Sequence, residues 1–203
     1  MRVITGINNV DTMLGMYRTV KAAPEVFARG RLSRNIHNMA VELDARVCPV
    51  TNFDDRKFNL DYAKREWQWY MGADKMDDSI TQHATMWAKL QQPDGSFYSN
   101  YGQYMFGSED GKPSQFHYVV STLKDDPSSR RASMVLLQRY HLFKENTDTV
   151  CTYAINFTID QGYLQMTVMM RSNDVIFGFT NDAFCFWHLY MFVYVVLQHH
   201  MPD

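Results

Sequence analysis

From Ala183 to Leu197 the chain runs fifteen residues of almost purely apolar side chains, interrupted by His188. As a helix such a stretch covers about 22 Å, short of the roughly 30 Å hydrocarbon core of a bilayer. The run therefore predicts a helix buried on all sides within a globular core, not a membrane span. Burying it requires layers of structure around it, and 203 residues are enough for one domain with a sizeable core. We read 1–203 as a single domain, because no internal repeat, low-complexity run or linker divides it. A hydrophobic content of 46% agrees and excludes a disordered chain.

The other elements follow from periodicity. Asp11 to Ala22 predicts a first helix, and Met39, Val41 and Leu43 alternate as in a strand within Ile36 to Leu43. Asp61 to Met71 predicts a second helix. Ser79 to Leu90 predicts a third, with Ser79 as its cap. Pro93 to Ser96 reads as a turn, and Phe116, Val119, Val120 and Leu123 recur at helical spacing. A β-rich stretch follows at Ser133 to Leu137, Val150 to Ile159 and Tyr163 to Met170, with Asp160-Gln161-Gly162 as a hairpin connection. Arg171 to Asn181 reads as a loop that leads into the apolar helix from Asp182. Helices early and strands late make the class α+β. Met39, Met166, Met169, Phe184, Phe186, Trp187 and Tyr190 are assigned to core packing.

Twenty basic and 22 acidic residues leave a net charge of −2, which gives no general reason to expect nucleic-acid or membrane binding. A small phosphorylated ligand needs only a few local arginines. Cys48, Cys151 and Cys185 are an odd number at wide spacing, with no metal-ligand pattern, and predict free thiols in a reducing compartment. The N-terminus lacks the apolar core of a signal peptide, so the expected location is cytoplasmic.

Three groups of residues carry candidate chemistry. Cys151 falls in a predicted buried strand, where most cysteines are small core residues. A nucleophilic role requires nearby cations that favour the thiolate, and Arg130, Arg131 and Arg171 are candidates. Arg130-Arg131 reads either as a solvated pair or as a bidentate phosphate clamp. Met170 to Asp182 places an arginine, a hydroxyl and acids between a strand and a helix, where binding groups concentrate. Asp182 also reads as a cap for the last helix.

In their order, these motifs resemble the thymidylate synthase family. Arg65-Glu66-Trp67-Gln68-Trp69-Tyr70 resembles the helix that carries its catalytic glutamate. Trp87 resembles its active-site tryptophan, and Ser99-Asn100-Tyr101-Gly102 its Tyr-Gly loop. Asp126 to Arg131 resembles the arginine pair that a partner subunit brings to the phosphate site. Cys151 stands at the nucleophile, and Arg171-Ser172-Asn173-Asp174 with Gly178 resembles the nucleotide signature. The resemblance runs from about Arg34 to the end and implies a mixed sheet flanked by helices. Further family segments, a His-x-Tyr motif and a closing tail, would lie beyond residue 203.

Two departures resemble the deoxycytidylate hydroxymethylases of phage. Thr152 follows the cysteine where synthases have histidine, and Asp182 stands where enzymes acting on deoxyuridylate have asparagine. Physical chemistry agrees with the second. Cytosine offers an exocyclic amine and, once protonated, a ring N–H, and a carboxylate accepts from both. Facing uracil, the same carboxylate meets a carbonyl lone pair, a mismatch that costs about 1–3 kcal/mol.

The resemblance implies that Cys151 adds to carbon six of dCMP, that carbon five receives a one-carbon unit from 5,10-methylenetetrahydrofolate, and that water completes a hydroxymethyl group. It assigns catalysis to Cys151, Glu66, Tyr101 and Asp182. It assigns the nucleotide to Arg34, Arg171, Ser172 and Asp182, with Arg130 and Arg131 from the partner of a homodimer. Trp87, Asp174 and Gly178 would face the folate, and no metal is needed. The alternatives are a dCMP methylase, a thymidylate synthase acting on dUMP, a non-catalytic nucleotide-binding remnant, and a dimerisation module. Cys48, Cys185 and His188 are read as structural, while His141, His199 and His200 carry no assigned role.

Overall fold

The computed structural model describes residues 1–199 apart from Arg29, Asp55, Asp110, Lys144 and the side chain of Ala28, so His200 lies outside the described residues. Its contacts divide into two compact units. One is Met1–Leu60 with Asp174–Trp187, and the other is Asp61–Asn173 with the chain from His188 on.

In the first unit β1 (Arg2–Ile4) and β4 (Met39–Val41) pair in parallel, a strand shorter than the alternation predicts. β2 (Glu25–Ala28) and β3 (Arg31–Arg34) form an antiparallel hairpin. The helix α1 (Asn9–Lys21) begins two residues before the predicted start, because the Asn8 side chain accepts the Asp11 N–H at 2.9 Å and caps it. Met13 and Tyr17 on its inner face join Phe53 in a core, with the Tyr17 and Phe53 rings stacked at 5.0 Å. Leu14, Leu43, Val175, Ile176 and Phe179 pack against it. Asn9 pins the following loop to α1. Its Nδ2 donates to the Asp44 and Val47 carbonyls at 2.8 Å, and its Oδ1 accepts from the Asp44 N–H at 2.6 Å.

The second unit holds α2 (Leu60–Gly72, from Asp61 on), α3 (Gly102–Met105), α4 (Gln115–Asp125) and an antiparallel sheet of β5 (Ser133–Val135), β6 (Thr152–Asp160) and β7 (Tyr163–Met170), in that order. The hairpin falls where expected. Asp160 pairs with Tyr163, and the two residues between them, Gln161 and Gly162, take φ of 50° and 82°. Two positive φ values in a two-residue loop match the twist of the strands, and glycine at the second place removes half the steric cost. Ile155 and Phe157 of β6 are fully buried. On β7 half-buried Leu164, Met166, Val168 and Met170 alternate with exposed neighbours. Met169 thereby faces outward at 50% exposure and is not a core residue.

Three expectations need correction. Ser79 to Leu90 is not one helix but two short 3₁₀ turns, Ser79–Gln82 and Trp87–Lys89, and Ser79 does not cap it. Only Ile80 and Trp87 are buried there, so no continuous apolar face offsets the cost of a longer helix. The apolar helix α5 (Gly178–Gln198) starts four residues ahead of Asp182. It is also not covered all round, since Phe192, Tyr194 and Val195 are 41%, 38% and 45% exposed. An apolar run without a polar stripe does not encode which face is covered. Among the described residues no helix is long and apolar enough to cross a membrane.

Candidate active site

Cys151 is not inside a strand. It occupies a half-exposed bend just before β6, which begins at Thr152 opposite Met170 and bulges before Ala154. Arg171 causes this. Its backbone N–H donates to the Cys151 carbonyl at 2.9 Å, its Nε donates to the Val150 carbonyl at 3.0 Å, and its Nη2 donates to the Thr149 carbonyl. Three consecutive carbonyls are thus turned toward one residue, and the guanidinium is fixed beside the thiol's own backbone. A fixed cation of this kind favours a thiolate. Ser172 follows it and is exposed.

Upstream of Cys151, Thr149 Oγ1 donates to the His141 carbonyl at 2.9 Å, and the Ser99 hydroxyl donates to Asp148 Oδ2. Burial pushes the Asp148 carboxyl up, while the bonds from Ser99 and Thr149 and the charge of Arg171 pull it back. Ser99 opens the Tyr101 turn. Asn100, fully buried, donates to the Asp74 carbonyl at 3.0 Å and accepts the Gly102 N–H at 3.0 Å. Gly102 is required here because a Cβ would lie 1.7 Å from the Tyr70 carbonyl oxygen.

That close approach joins the turn to α2. The Tyr101 and Tyr70 rings stack at 5.4 Å, and the Tyr70 hydroxyl donates to Glu66 Oε1 at 3.4 Å. Glu66 is buried on α2 at 5% exposure. Trp87 packs edge-on against Trp69 at 5.0 Å and donates its indole N–H to the Tyr62 hydroxyl at 2.8 Å. Glu66, Tyr101 and Trp87, far apart in sequence, therefore meet in one aromatic cluster on α2. Arg130 and Arg131 are exposed on the loop after α4. With Asp126, Ser128 and Ser129 they line an open concavity of about 600 Å³. Asp126 Oδ1 shapes that loop by accepting the Ser128 N–H at 2.9 Å and its hydroxyl at 2.6 Å.

The remaining candidates belong to the first unit. Asp174 Oδ1 accepts the Ile176 N–H at 3.0 Å and that of Phe177, and its carbonyl accepts the Phe179 N–H at 2.7 Å. Asp174 thus starts the turn into α5, whose first residue is Gly178. Asp182 is half-buried one turn inside the helix and is not its cap. Arg34 donates from Nη1 to the Lys21 and Ala23 carbonyls at 2.8 and 2.9 Å and from Nη2 to Glu25 Oε1 at 3.0 Å. In this arrangement it holds the end of α1.

Several residues escaped the sequence reading. Arg56 braces the loop before α5, donating from Nη1 to Ile176 O at 2.7 Å and Thr180 Oγ1 at 3.1 Å, with its guanidinium 4.6 Å from the centre of the Phe177 ring. Asn181, beside Asp182, is 8% exposed and its Oδ1 has no hydrogen-bond partner among the described residues. His141 is not idle. It is fully buried, its Nδ1 accepts the Gln138 N–H at 3.0 Å, and its Nε2 lies 2.8 Å from the Tyr104 hydroxyl. Desolvation lowers its pKa to about 4, so it is neutral and braces the approach to Cys151. No local pattern announces these roles, since each depends on carbonyls or rings brought close by the fold.

Comparisons with known proteins give the chain its family and fold. The family model described as thymidylate synthase matches residues 27–201. The chain is 32% identical over 129 residues to deoxycytidylate 5-hydroxymethyltransferase of Enterobacteria phage T4, covering 61% of this chain and 52% of that protein. It is 27% identical over 118 residues to thymidylate synthase of Fusobacterium nucleatum, covering 58% and 42%. The chain thus spans about half the length of the curated relatives it matches. The solved thermostable thymidylate synthase A from Bacillus subtilis shares the fold at a TM-score of 0.54 and 24% identity, over 68% of this chain and 51% of that one. With the family model matching most of its length, the chain belongs to the thymidylate synthase family.

Proposed function

We propose that this chain transfers a one-carbon unit from 5,10-methylenetetrahydrofolate to carbon 5 of dCMP, with hydration, giving 5-hydroxymethyl-dCMP. The observation that carries the reading is Cys151 in its half-exposed bend, with the Arg171 guanidinium fixed on the two carbonyls before it. A thiolate adding to carbon 6 of the pyrimidine makes carbon 5 nucleophilic and splits one hard substitution into easier steps. Glu66, buried and touched by Tyr70, holds water and moves protons, and Tyr101 stands on the same cluster.

Asp182 supports the choice of cytosine. Its carboxylate accepts from the exocyclic amine and stabilises the protonated ring, which assists addition at carbon 6. The phage relative's name points the same way. Arg34, Arg171 and Ser172 are assigned to the phosphate, together with Arg130 and Arg131 from the partner of a homodimer. The exposed arginine loop and its open concavity suit such a shared role.

Trp87, Asp174 and Gly178 are assigned to the folate by the family resemblance: Trp87 is a buried ring whose N–H is satisfied by Tyr62, and Asp174 carries an exposed carboxylate held by the Ile176 N–H in the turn before Gly178. When bound, the folate supplies the carbon at the oxidation level of formaldehyde. The test is product analysis by mass spectrometry with methylenetetrahydrofolate and either dCMP or dUMP. A hydroxymethyl product from dCMP alone is expected. A methyl product, or turnover of dUMP, refutes the assignment, and no product from either refutes catalysis by this chain.

A further inference from the structure

The mechanism above leaves the half-buried carboxyl of Asp148 unused. Asp148 stands three residues before Cys151, in a segment without regular structure, and is bound by the hydroxyl of Ser99. Ser99 belongs to the turn that carries Tyr101, and that turn is anchored to the α2 region by Asn100 and by the close approach of Gly102. The Asp148–Ser99 bond therefore spans 49 residues of sequence and joins the two segments assigned to chemistry. Among the described residues, the charged and titratable groups facing Asp148 are Arg171, at the end of β7, and Tyr104, on α3. Tyr104 is held neutral by burial and bonded to His141.

A neutral side chain would serve a turn equally well. Burying a carboxylate is costly and is sustained only by donors and a nearby cation. Here the donors come from Ser99 in the Tyr101 turn and from the Thr149 backbone, and the cation is Arg171, bonded to the carbonyls that precede and include that of Cys151. From this placement we infer that Asp148 is a positioning residue: it ties the Tyr101 turn to the Cys151 segment and offsets the charge that Arg171 presents at the thiol. The inference rests on Cys151 being the nucleophile. It makes the thiolate a balance between one cation and one anion, both fixed before substrate binds.

The experiment is site-resolved alkylation of the full chain by iodoacetamide as a function of pH, read by mass spectrometry, for the parent and Asp148→Asn. Asparagine still accepts from Ser99 but carries no charge, so the Cys151 midpoint is expected to fall by about one pH unit, the low end of what a nearby charge produces. Cys48, in the other unit, should not move. A Cys151 profile superimposed on the parent's overturns the inference, and so does a common shift of both cysteines, which signals general loosening. Should Asp148→Asn fail to fold, Asp148→Ser, smaller and equally neutral, reads the same shift. Turnover of dCMP by the parent separates the two claims. A shift without turnover refutes the nucleotide reading and keeps Asp148, while turnover without a shift does the reverse.

Discussion

Gly102→Ala is the substitution whose outcome follows most directly from the structure. The added Cβ would lie 1.7 Å from the Tyr70 carbonyl oxygen, 2.4 Å from its carbon and 2.6 Å from its Cα. Ordinary contact begins near 3.4 Å, so the Tyr101 turn and α2 must part by about 1.7 Å, and all three atoms met are backbone. Overpacking of this kind costs about 3 kcal/mol, against which alanine's better helix propensity at the start of α3 returns about 1 kcal/mol. The net expectation is a loss of about 2 kcal/mol in urea unfolding, with a changed near-ultraviolet signal as the Tyr70–Tyr101 stack opens. Gly72→Ala is the control, because nothing lies within 4 Å of its Cβ. It should be neutral or stabilising by up to about 1 kcal/mol. A Gly102→Ala chain as stable as the parent would refute the reasoning, since the glycine would then not be set by close approach.

Other expectations are more compact. His141 titrates at about 4 when folded against 6.5 in the free side chain, so between those values the unfolded chain binds more protons. Stability is fully present above pH 6.5 and declines by up to about 3 kcal/mol as pH falls through that window. Urea midpoints at pH 7 and 4.5 check this, and His141→Gln should flatten that decline. An equal decline in both chains would assign it elsewhere. Arg56→Ala removes the donor bracing Ile176 and Thr180 and should cost about 2 kcal/mol. Limited chymotrypsin cleavage at exposed Phe177 should speed up, and an unchanged rate would refute the brace. Asp182→Asn should move preference from dCMP toward dUMP by about 10- to 100-fold in kcat/KM. Unaltered preference would remove Asp182 from base reading.

Local order along the chain was legible where the pattern is local. α1, α2, α4 and the β6–β7 hairpin were readable because caps, periodicity and a two-residue turn act within a few positions. The family was legible because its motifs keep their order, from Glu66 through Cys151 to Asp182. The same locality explains the failures. Ser79 to Leu90 looked helical by propensity, yet burial of Ile80 and Trp87 alone broke it into two turns.

What the sequence by itself determined was the inventory of chemistry: a cysteine, a glutamate on a predicted helix, arginines in pairs and singly, and a carboxylate where a carboxamide is usual. What only the tertiary structure decided was how that inventory is held. Arg171 turns three carbonyls and bends the chain at Cys151, Asp148 reaches Ser99 across 49 residues, and His141 is a neutral brace because its surroundings are dry. Hydrogen bonding and desolvation depend on which groups come within about 3 Å and on what excludes water from them. Neither quantity is a property of any stretch of sequence short enough to read as a pattern.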